Sequence, residues 1–420
     1  MDNKLTEPNH SSHSYIMNQR FLILSSLFPP NVIGGAEMSG ANLAHWLKKQ
    51  GADVGVLTTA KTPEEAHGCR KIDGLKMWSV WMPRPYPKFY FAKAKWWQKP
   101  MWHLQDHIDP RNRILAGHVM DVFKPDFIHI HVLQGLGYNI LAEIAKRHIP
   151  TTFFLHDLGM ACFRMAMFKN GRACNGHCLP CKISSAYKLH CVRQIPFLEF
   201  VSPSRANFEI LAKYFPVNQW RSAVIMNVNR HPSPTVSRTE SDHVRILYVG
   251  RLHVTKGTDV LLEAANNLAS KYAFTLTIVG SGPDEAKLRE AYGHLPWCKF
   301  TGFVTQQDIS NHIVNSDVLC IPSIWAENSP GVVIHALGLG LPVIGSDKAG
   351  IPELVQHRKN GLLVPPGDTA AWQNAIAEIV ENPSVLEPWR THALENAYKF
   401  DQDYLGNKLL GFICNQKVSF

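Results

Sequence analysis

The residues best suited to chemistry in this 420-residue chain lie at positions 323–355, and Glu327 heads that stretch. Residues 322–331 follow an apolar strand pattern and open a helical pattern. The first amides of a helix, here those of Gly331 and Val332, lack intrahelical partners, so they can bind an anion together with the helix dipole. The Glu327 carboxylate can accept hydrogen bonds from sugar hydroxyls. The alternative interpretation is a capped helix with an exposed glutamate.

Two earlier loops in the same half carry groups that suit a diphosphate. The first, Gly250-Arg251…Lys256-Gly257, follows a strand pattern, and its guanidinium and ammonium groups can neutralise phosphates. The second, Gly280-Ser281-Gly282-Pro283, also ends a strand pattern, and its small residues let a ligand approach the backbone. Each loop alone is a weak signal, since charged residues after strands are usually solvated.

Short apolar runs alternate with longer amphipathic stretches along the whole chain, which predicts parallel sheets covered by helices. We therefore expect an α/β fold of two Rossmann-like domains facing across a cleft that holds the ligand. The predicted boundaries are a disordered tail (1–19), a first domain (20–229), a linker (230–241), a second domain (242–400) and a C-terminal helix that packs back on the first domain (401–420).

Four ordered motifs in the second half together resemble one family. They are Gly250-Arg251…Lys256-Gly257, Gly280-Ser281-Gly282-Pro283, Glu327-Asn328-x-Pro330, and Pro342-Val343-Ile344 with Gly350-Ile351-Pro352-Glu353-Leu354-Val355. They resemble the GT-B glycosyltransferases of the family-4, or "group 1", type, as in bacterial exopolysaccharide and lipopolysaccharide synthesis. The resemblance covers almost the whole chain, weakly before residue 200 and strongly after 245.

The resemblance implies a retaining transfer of a hexose-type sugar from a nucleotide diphosphate sugar to a saccharide or lipid-linked saccharide acceptor. It implies that transfer requires no metal cofactor and that no protein base takes the acceptor proton. We expect Glu327, His156 and Asp157 to be catalytic and Glu37 and His131 to lie on the acceptor side. The expected donor-binding residues are Gly34, Gly35, Arg251, Lys256, Gly280, Asn328, Ser329, Gly331, Val332 and His335.

His335 departs from the family pattern, which has a second glutamate eight positions after the first, where it binds the ribose. A neutral imidazole can still bond a ribose hydroxyl, whereas a protonated one would make nucleotide affinity depend on pH near neutrality. A lapsed donor site would instead leave a catalytically weak or silent binding subunit at the membrane. A sugar-nucleotide epimerase is a further alternative, which the motifs after residue 245 disfavour.

Two histidines of the first domain, His129 and His131, lie two positions apart on one strand pattern. We expect them to point to opposite faces, so that only one reaches a ligand. His131 is the candidate because it lies nearer the carboxyl end of the strand.

Residues 82–103 combine five basic residues and seven aromatic ones with no acidic residue. A helix from Lys88 to Lys99 would separate lysines from aromatics, as in an interfacial membrane helix. The alternative is a helix that covers the core and has a solvated basic face. The apolar run 21–28 is too short for a span, so we expect a cytoplasmic protein, peripheral on the inner face of the cytoplasmic membrane. The net charge of +9 is scattered, and no nucleic-acid module accompanies it.

Four of the nine cysteines lie within twenty residues, with a spacing that could close a tetrahedral structural zinc site. They are Cys162, Cys174, Cys178 and Cys181. The alternative is a set of incidental free thiols, since a disulfide framework does not suit a cytosolic chain.

Overall fold

The computed structural model describes residues 16–165, 167–169 and 172–414. The chain divides into unit 1, comprising Met1–Asn229 and Leu405–Phe420, and unit 2, comprising Arg230–Tyr404. Most of the predicted disordered tail lies outside the described residues. Its last part does not fit that prediction, because the Ile16 side chain is fully buried and the Asn18 amide donates to the Gly51 carbonyl at 3.2 Å.

Unit 1 alternates strands and helices as the apolar runs predict. Its strands are β1 (Arg20–Ser25), β2 (Asp53–Thr59), β3 (His67–Ile72), β4 (Leu75–Val80), β5 (Phe127–Val132), β6 (Thr151–Phe154), β7 (Phe168–Lys169), β8 (Arg172–Ala173), β9 (Leu198–Ser202) and β10 (Arg221–Val224). Its helices are α1 (Gly35–Lys49), α2 (Gln98–Ile108), α3 (Pro110–Phe123), α4 (Leu141–Lys146), α5 (Leu179–Arg193) and α6 (Arg205–Ala212), with 3₁₀ turns at Lys88–Lys93, Tyr138–Ile140 and Val217–Gln219.

Eight of these strands form one sheet in the order β10-β9-β6-β5-β1-β2-β4-β3. All neighbours are parallel except the β3/β4 hairpin at one edge. The strand order reverses between β1 and β5, which leaves a crevice at their carboxyl ends. The hairpin was not among the predicted strands, because β3 is polar and exposed at nearly every position.

Unit 2 contains six strands and six helices of its own. The strands are β11 (Val244–Val249), β12 (Phe274–Val279), β13 (Cys298–Gly302), β14 (Val318–Ile321), β15 (Val343–Ser346) and β16 (Gly361–Val364). The helices are α7 (Thr258–Asn266), α8 (Glu285–Tyr292), α9 (Gln306–Val314), α10 (Gly331–Gly338), α11 (Thr369–Glu381) and α12 (Leu386–Glu395), with 3₁₀ turns at Val254–Lys256, Pro383–Val385 and Ala397–Phe400.

The six strands of unit 2 form one parallel sheet in the order β13-β12-β11-β14-β15-β16. By position in the chain this is the order 3-2-1-4-5-6, the Rossmann arrangement, with its switch point between β11 and β14. The sheet is nearly all apolar because helices cover both faces.

The last helix, α13 (Gln402–Cys414), belongs mostly to unit 1. Its buried face, Leu405, Leu409, Leu410 and Ile413, joins the core that includes Trp46 of α1. Among the described residues, no helix combines the length and the apolar character that crossing a bilayer requires.

The segment predicted as a linker is hydrogen-bonded to helix α9 of unit 2. The Thr235 amide donates to Asn311 Oδ1 at 2.8 Å, and the Gln307 side-chain amide donates to the Ser233 carbonyl at 2.7 Å. Arg238 pairs with Asp317 at the end of the same stretch. Residues 230–239 therefore have a fixed path over unit 2.

The helix predicted from Lys88 to Lys99 is wrong in its bounds and in its faces. The chain forms a 3₁₀ turn over Lys88–Lys93, and helix α2 begins only at Gln98. Lys88 is buried, and its ammonium group bonds Gln134 instead of facing solvent. Trp102 is also buried and donates its indole N–H to the Tyr86 carbonyl at 2.8 Å.

Candidate functional site

The loops that carry the predicted donor-binding residues leave adjacent strands at the switch point of unit 2. Arg251 and Lys256 lie on the loop after β11, and Glu327 lies on the loop after β14. Ligands of open parallel sheets bind at this position, outside the carboxyl ends of the strands where their order reverses. The fold thus supplies a physical reason for motifs that lie over seventy residues apart.

Gly257 lets the Lys256 turn pack closely on the loop after β14. Its φ of +64° is a left-handed conformation, and a Cβ there would lie 2.0 Å from the Pro322 carbonyl oxygen. The Thr255 carbonyl accepts hydrogen bonds from the Ile324 and Trp325 amides at 3.1 Å. These contacts fix the position of Lys256 relative to Glu327.

Glu327 is held by a cation and by a hydroxyl group. Its Oε1 accepts a hydrogen bond from Lys256 Nζ at 2.5 Å and from Ser323 Oγ at 2.7 Å. The Glu327 side chain is 14% exposed and that of Lys256 is 31% exposed. A carboxylate held in this way keeps acceptor capacity for a ligand, because each of its two oxygens has two lone pairs.

A third loop, after β15, supports Glu327 from behind. The Gly350 amide donates to the Glu327 carbonyl at 2.9 Å, and Lys348 Nζ donates to the Ile324 carbonyl at 2.8 Å. A Cβ at position 350 would lie 1.5 Å from the Asn328 carbonyl oxygen, so only glycine fits. This contact explains physically why a glycine begins the Gly350-Ile351-Pro352 motif.

Helix α10 begins directly after the Glu327 loop, and no side chain caps its start. Pro330 occupies the N-cap position, and the first amides of the helix are those of Gly331 and Val332. Ser329 Oγ is enclosed just before the helix and has no hydrogen-bond partner within the described part of the chain. An orphaned hydroxyl and uncapped amides at one helix start are the groups that an anionic oxygen would satisfy.

The remaining predicted donor residues of unit 2 are arranged around these loops. Arg251 is exposed, and Gly280 begins the loop after β12, where its amide donates to the Gly302 carbonyl at 2.8 Å. Asn328 is half-buried beside Glu327.

His335 lies inside unit 2, where it contacts His231 of the 230–239 segment and Ser310 of α9. The side chain is 2% exposed, and its ring stacks on that of His231 with centroids 4.3 Å apart. Its Nε2 lies 3.1 Å from Ser310 Oγ, which itself donates to the Pro232 carbonyl at 2.7 Å. The bond to Pro232 is the shortest that Ser310 Oγ makes, so we assign the hydroxyl proton to it; His335 Nε2–H then donates to Ser310, and Nδ1 is left as an acceptor.

The environment of His335 keeps the imidazole neutral. Burial, together with the neighbouring His231, lowers the pKa of His335 to about 3. Of the two forms that the sequence left open, the lowered pKa favours the neutral imidazole.

In unit 1, Glu37 closes the start of helix α1. Its Oε2 accepts the Gly34 amide at 3.0 Å, and the residue is 6% exposed. Burial raises the pKa of this carboxyl group. The Glu37 carboxylate thus accepts an amide at the start of the helix. Gly35 follows as the first helical residue, with open space where a Cβ would lie.

The prediction that His129 and His131 point to opposite faces is wrong. Residues two apart on a strand share a face, and both rings contact that of Phe154. Both histidines are buried, at 0% and 3% exposed. His131 Nδ1 lies 2.8 Å from His156 Nε2, just after the neighbouring strand β6.

His156 and Asp157 are half-buried just after β6. Asp157 Oδ1 accepts the Gly159 amide at 2.6 Å. Burial raises the pKa of Asp157, while that amide and the charges of Lys88 and Lys188 oppose the rise. Lys188 is itself buried, which lowers its pKa to about 8, and it donates to the Gly159 carbonyl at 2.6 Å.

The cysteines predicted to bind zinc are only partly brought together. Cys162 Sγ and Cys181 Sγ lie 3.6 Å apart, and the Cys178 side chain also bonds Cys181. A sulfur–sulfur separation of this size suits two ligands of one tetrahedral zinc ion, with bonds of about 2.3 Å. Within the described ranges, however, no group of three or more histidine, cysteine or carboxylate side chains has metal-site geometry.

Known protein families match the sequence of both units. The family described as "Glycosyl transferases group 1" matches residues 243–382, and the "Glycosyl transferase 4-like domain" matches residues 34–177. Together these matches cover more than half of the chain. The chain belongs to the group 1 glycosyltransferases.

Among curated relatives of this group 1 glycosyltransferase is the amylovoran biosynthesis glycosyltransferase AmsK of Erwinia amylovora, with 39% identity over 154 residues. That alignment covers 34% of this chain and 38% of AmsK. The chain thus spans less than half the length of the first curated relatives that it matches.

Solved glycosyltransferase structures share the fold over nearly the full chain. Sucrose-phosphate synthase from Thermosynechococcus elongatus has a TM-score of 0.72 at 17% identity, covering 96% of this chain and 100% of that one. HepE of Anabaena, solved in complex with UDP-glucose, has a TM-score of 0.63 at 16% identity, covering 96% and 100%. The predicted GT-B α/β fold is confirmed.

Three site residues were not predicted from the sequence. Ser323 and Lys348 support the Glu327 loop, and Lys188 lies beside Asp157. The sequence could have indicated Ser323 and Lys348, because each comes shortly after an apolar strand pattern and next to a family motif. Lys188 carried none, since it lies in the middle of helix α5, where a lysine is normally solvated.

Proposed function

We propose that this glycosyltransferase moves a hexose-type sugar, with retention, from a nucleotide diphosphate sugar to a saccharide or lipid-linked saccharide acceptor. The pathway we propose is cell-surface polysaccharide synthesis. The observation that carries the proposal is the convergence of Lys256, Glu327 and the uncapped start of α10 at the switch point of unit 2. A cation, a carboxylate and free amides match the diphosphate and sugar hydroxyls of such a donor.

Donor binding would exchange partners within this group. The diphosphate attracts Lys256 away from Glu327, and Arg251 adds a second positive charge. The Glu327 carboxylate then accepts a sugar hydroxyl in place of the ammonium, while Ser323 continues to hold Oε1. The amides of Gly331 and Val332, with Ser329 Oγ, would bind phosphate oxygens.

His335 would contact the ribose as an acceptor. Its Nε2–H is used by Ser310, so a ribose hydroxyl would donate to Nδ1. A neutral acceptor replaces the family's carboxylate at this position, which supports retained but weaker ribose binding.

In the proposed reaction the bond between the anomeric carbon and the phosphate oxygen breaks, and the acceptor oxygen bonds that carbon. The acceptor proton moves to the departing phosphate oxygen, so no protein base and no metal is required. Catalysis then rests on positioning and on stabilising the charge of the leaving diphosphate. His156 and Asp157 are proposed to bind sugar hydroxyls on the side of unit 1.

The test is nucleoside diphosphate release from the nucleotide sugar that stabilises the protein most in a thermal-shift screen. Glu327→Gln should lower kcat/KM by about 10- to 150-fold, the value of a charged hydrogen bond of about 1.5–3 kcal/mol. Glu378→Gln, which alters only an exposed pair with Arg358, is the matched control. Nucleotide binding without any turnover in the wild type would instead support the silent binding subunit.

We also propose that unit 1 docks on an anionic lipid surface. Helix α2 and the residues before it expose a run of large apolar side chains: Trp96, Trp97, Met101, Leu104 and Ile108 are 82%, 59%, 54%, 53% and 57% exposed. Met101, Leu104 and Ile108 form one stripe, because their spacing of three and four residues matches the helical repeat.

A second helix extends this exposed face. His107 Nε2 of α2 lies 2.9 Å from Ser184 Oγ of α5, and beside that contact Leu179 and Ile183 are 69% and 64% exposed. Helix α5 contains no acidic residue, and exposed lysines at 95 and 182 border the apolar groups. Apolar side chains ringed by cations suit an anionic bilayer surface.

Sedimentation with phosphatidylglycerol vesicles at low salt tests this docking, with pure phosphatidylcholine vesicles as the uncharged comparison. Trp96→Ser with Trp97→Ser should reduce the bound fraction, whereas Phe303→Ser, at an 84% exposed aromatic residue of unit 2, should not. Absence of wild-type binding to the anionic vesicles would refute the proposal.

A structural zinc ion held by Cys162, Cys174, Cys178 and Cys181 stays a proposal. The pair of Cys162 and Cys181, whose Sγ atoms lie 3.6 Å apart, supports it. Metal analysis of the purified protein should find about one zinc per chain, lost in Cys181→Ser and retained in Cys298→Ser, whose thiol is buried in the core of unit 2. A metal-free wild type with intact stability would disprove it.

A further inference from the structure

His131, buried on β5, and His156, half-buried just after β6, form a pair of neighbouring imidazoles in unit 1. Strands β5 and β6 pair in parallel with Ile130 opposite Phe153, which brings the two rings to the same sheet end. His131 Nδ1 lies 2.8 Å from His156 Nε2, and the rings are nearly parallel, at 20°. This distance is a hydrogen bond, so one proton lies between the two nitrogens.

The His131 ring is fixed from both sides. It stacks on Phe154 with centroids 4.4 Å apart at 9°. On the other side lies Gly40 of α1, where a Cβ would come within 3.2 Å of His131 Cγ. The ring cannot turn without displacing helix α1 or the Phe154 ring, so Nδ1 stays directed at His156.

The other nitrogen of His131 decides which ring donates. His131 Nε2 is enclosed and has no hydrogen-bond partner among the described residues. If His156 donated, a neutral His131 would carry its proton on Nε2, as a buried N–H without an acceptor. Orphaned buried N–H groups are the rarest of unsatisfied groups and cost about 1–3 kcal/mol. The favoured arrangement therefore has the proton on His131 Nδ1.

We infer that His131 is a positioning residue that donates Nδ1–H to His156 Nε2 and thereby fixes both the ring orientation and the tautomer of His156. Burial keeps both rings neutral, since it lowers the pKa of His156 to about 4 and that of His131 well below its usual value. His156 then carries its proton on Nδ1, and it can act through Nδ1 only as a donor.

This inference rests on the proposed function and restricts it at one residue. His156 would contribute a hydrogen bond to a sugar oxygen and would not abstract a proton, because its basic nitrogen is occupied by His131. The role that the sequence predicted for His131, direct contact with an acceptor, is replaced by an indirect one.

The first test is the tautomer itself, in full-length protein labelled with ¹⁵N-histidine. Long-range ¹H–¹⁵N spectra distinguish protonated from bare ring nitrogens, and the His156 signals are those lost in His156→Gln. We expect Nδ1 of His156 to be protonated in the wild type. His131→Phe keeps the stacked ring but removes the donor, so it should shift His156 toward the Nε2–H form.

The second test is turnover, with rescue by a conservative variant. His131→Phe should lower kcat by about 2- to 13-fold, the value of one neutral hydrogen bond, with a smaller change in the KM of the donor. His131→Asn places an amide N–H near the position of Nδ1 and should restore both the tautomer and the rate.

A wild-type His156 protonated on Nε2, or an unchanged tautomer in His131→Phe, would overturn the inference whatever the activity. A wild type that turns over no donor, with the expected tautomer, would instead count against the proposed function alone.

Discussion

Replacing Gly350 by alanine should displace Glu327 without altering any side chain that we assign to the donor. The new Cβ would lie 1.5 Å from the Asn328 carbonyl oxygen and 3.1 Å from the Glu327 carbonyl oxygen, both backbone atoms. Real Cβ atoms essentially never approach a heavy atom within 3.0 Å. The contact with the Asn328 oxygen is 1.5 Å, so the loop must move by about 1.5 Å to reach that limit. The same movement weakens the hydrogen bond from the Gly350 amide to Glu327.

A displacement of about 1 Å at a reacting group costs on the order of 100-fold in rate. We therefore expect Gly350→Ala to lower kcat/KM for nucleoside diphosphate release by at least about 100-fold. The matched control is Gly338→Ala at the end of α10, where a Cβ meets nothing within 4 Å and alanine favours the helix. The melting temperature of both variants shows whether the fold is kept.

The result that would refute this reasoning is a folded Gly350→Ala protein with activity within about threefold of the wild type. Such a result would mean that the Glu327 loop does not need its observed position. Equal loss of activity in Gly338→Ala would show that the assay responds to any change near α10.

Three further predictions concern stability. Asp106→Asn breaks a buried ion pair in which Asp106 is 0% and Arg84 2% exposed, so it should lower the free energy of unfolding in urea by about 3–5 kcal/mol. Asp121→Asn breaks the pair with Arg147, in which Asp121 is 65% exposed, and should lower it by at most about 1 kcal/mol. Gly406→Ala puts a Cβ 2.2 Å from Trp46 and should destabilise unit 1 by about 1–3 kcal/mol, whereas Gly411→Ala on the same helix, with open space, should not. Burial lowers the pKa of His231 to about 4 and that of His335 to about 3. As the pH falls below about 6.5, these histidines therefore take up protons in the unfolded chain before they do so in the folded one. The free energy of unfolding should then decrease toward pH 4 by up to about 1.4 kcal/mol per pH unit for each histidine. His335→Gln should flatten the pH dependence of the melting temperature, and an unchanged slope would contradict the assigned pKa.

The convergence of Arg251, Lys256 and Glu327 could be predicted from the sequence because these residues follow strand ends. Arg251, Lys256 and Glu327 each follow a buried apolar run within a few residues, and parallel strands bring such positions to one edge. The spacing of the runs also predicted the alternation of strands and helices. Local sequence sufficed there, since strand and loop are set by short-range patterns.

Contacts between residues that are distant in the sequence could not be predicted from these local patterns. Three such contacts join residues that are far apart in the sequence: the bond of buried Lys88 to Gln134, the hydrogen bond between His131 and His156, and the packing of His335 against His231. A lysine or histidine has the same local pattern whether it faces solvent or the interior, so its environment depends on which elements pack around it.

By itself, then, the sequence determined the main alternation of strands and helices and the chemical groups on the loops after β11 and β14, because these depend on local periodicity and on residue type. The tertiary structure alone decided the states of the histidines and the support of Glu327. Those depend on the enclosure of a side chain and on which backbone atoms approach it, as the Gly350 amide approaches Glu327. Tautomer, pKa and position are properties of such surroundings, and the surroundings exist only when the chain is folded.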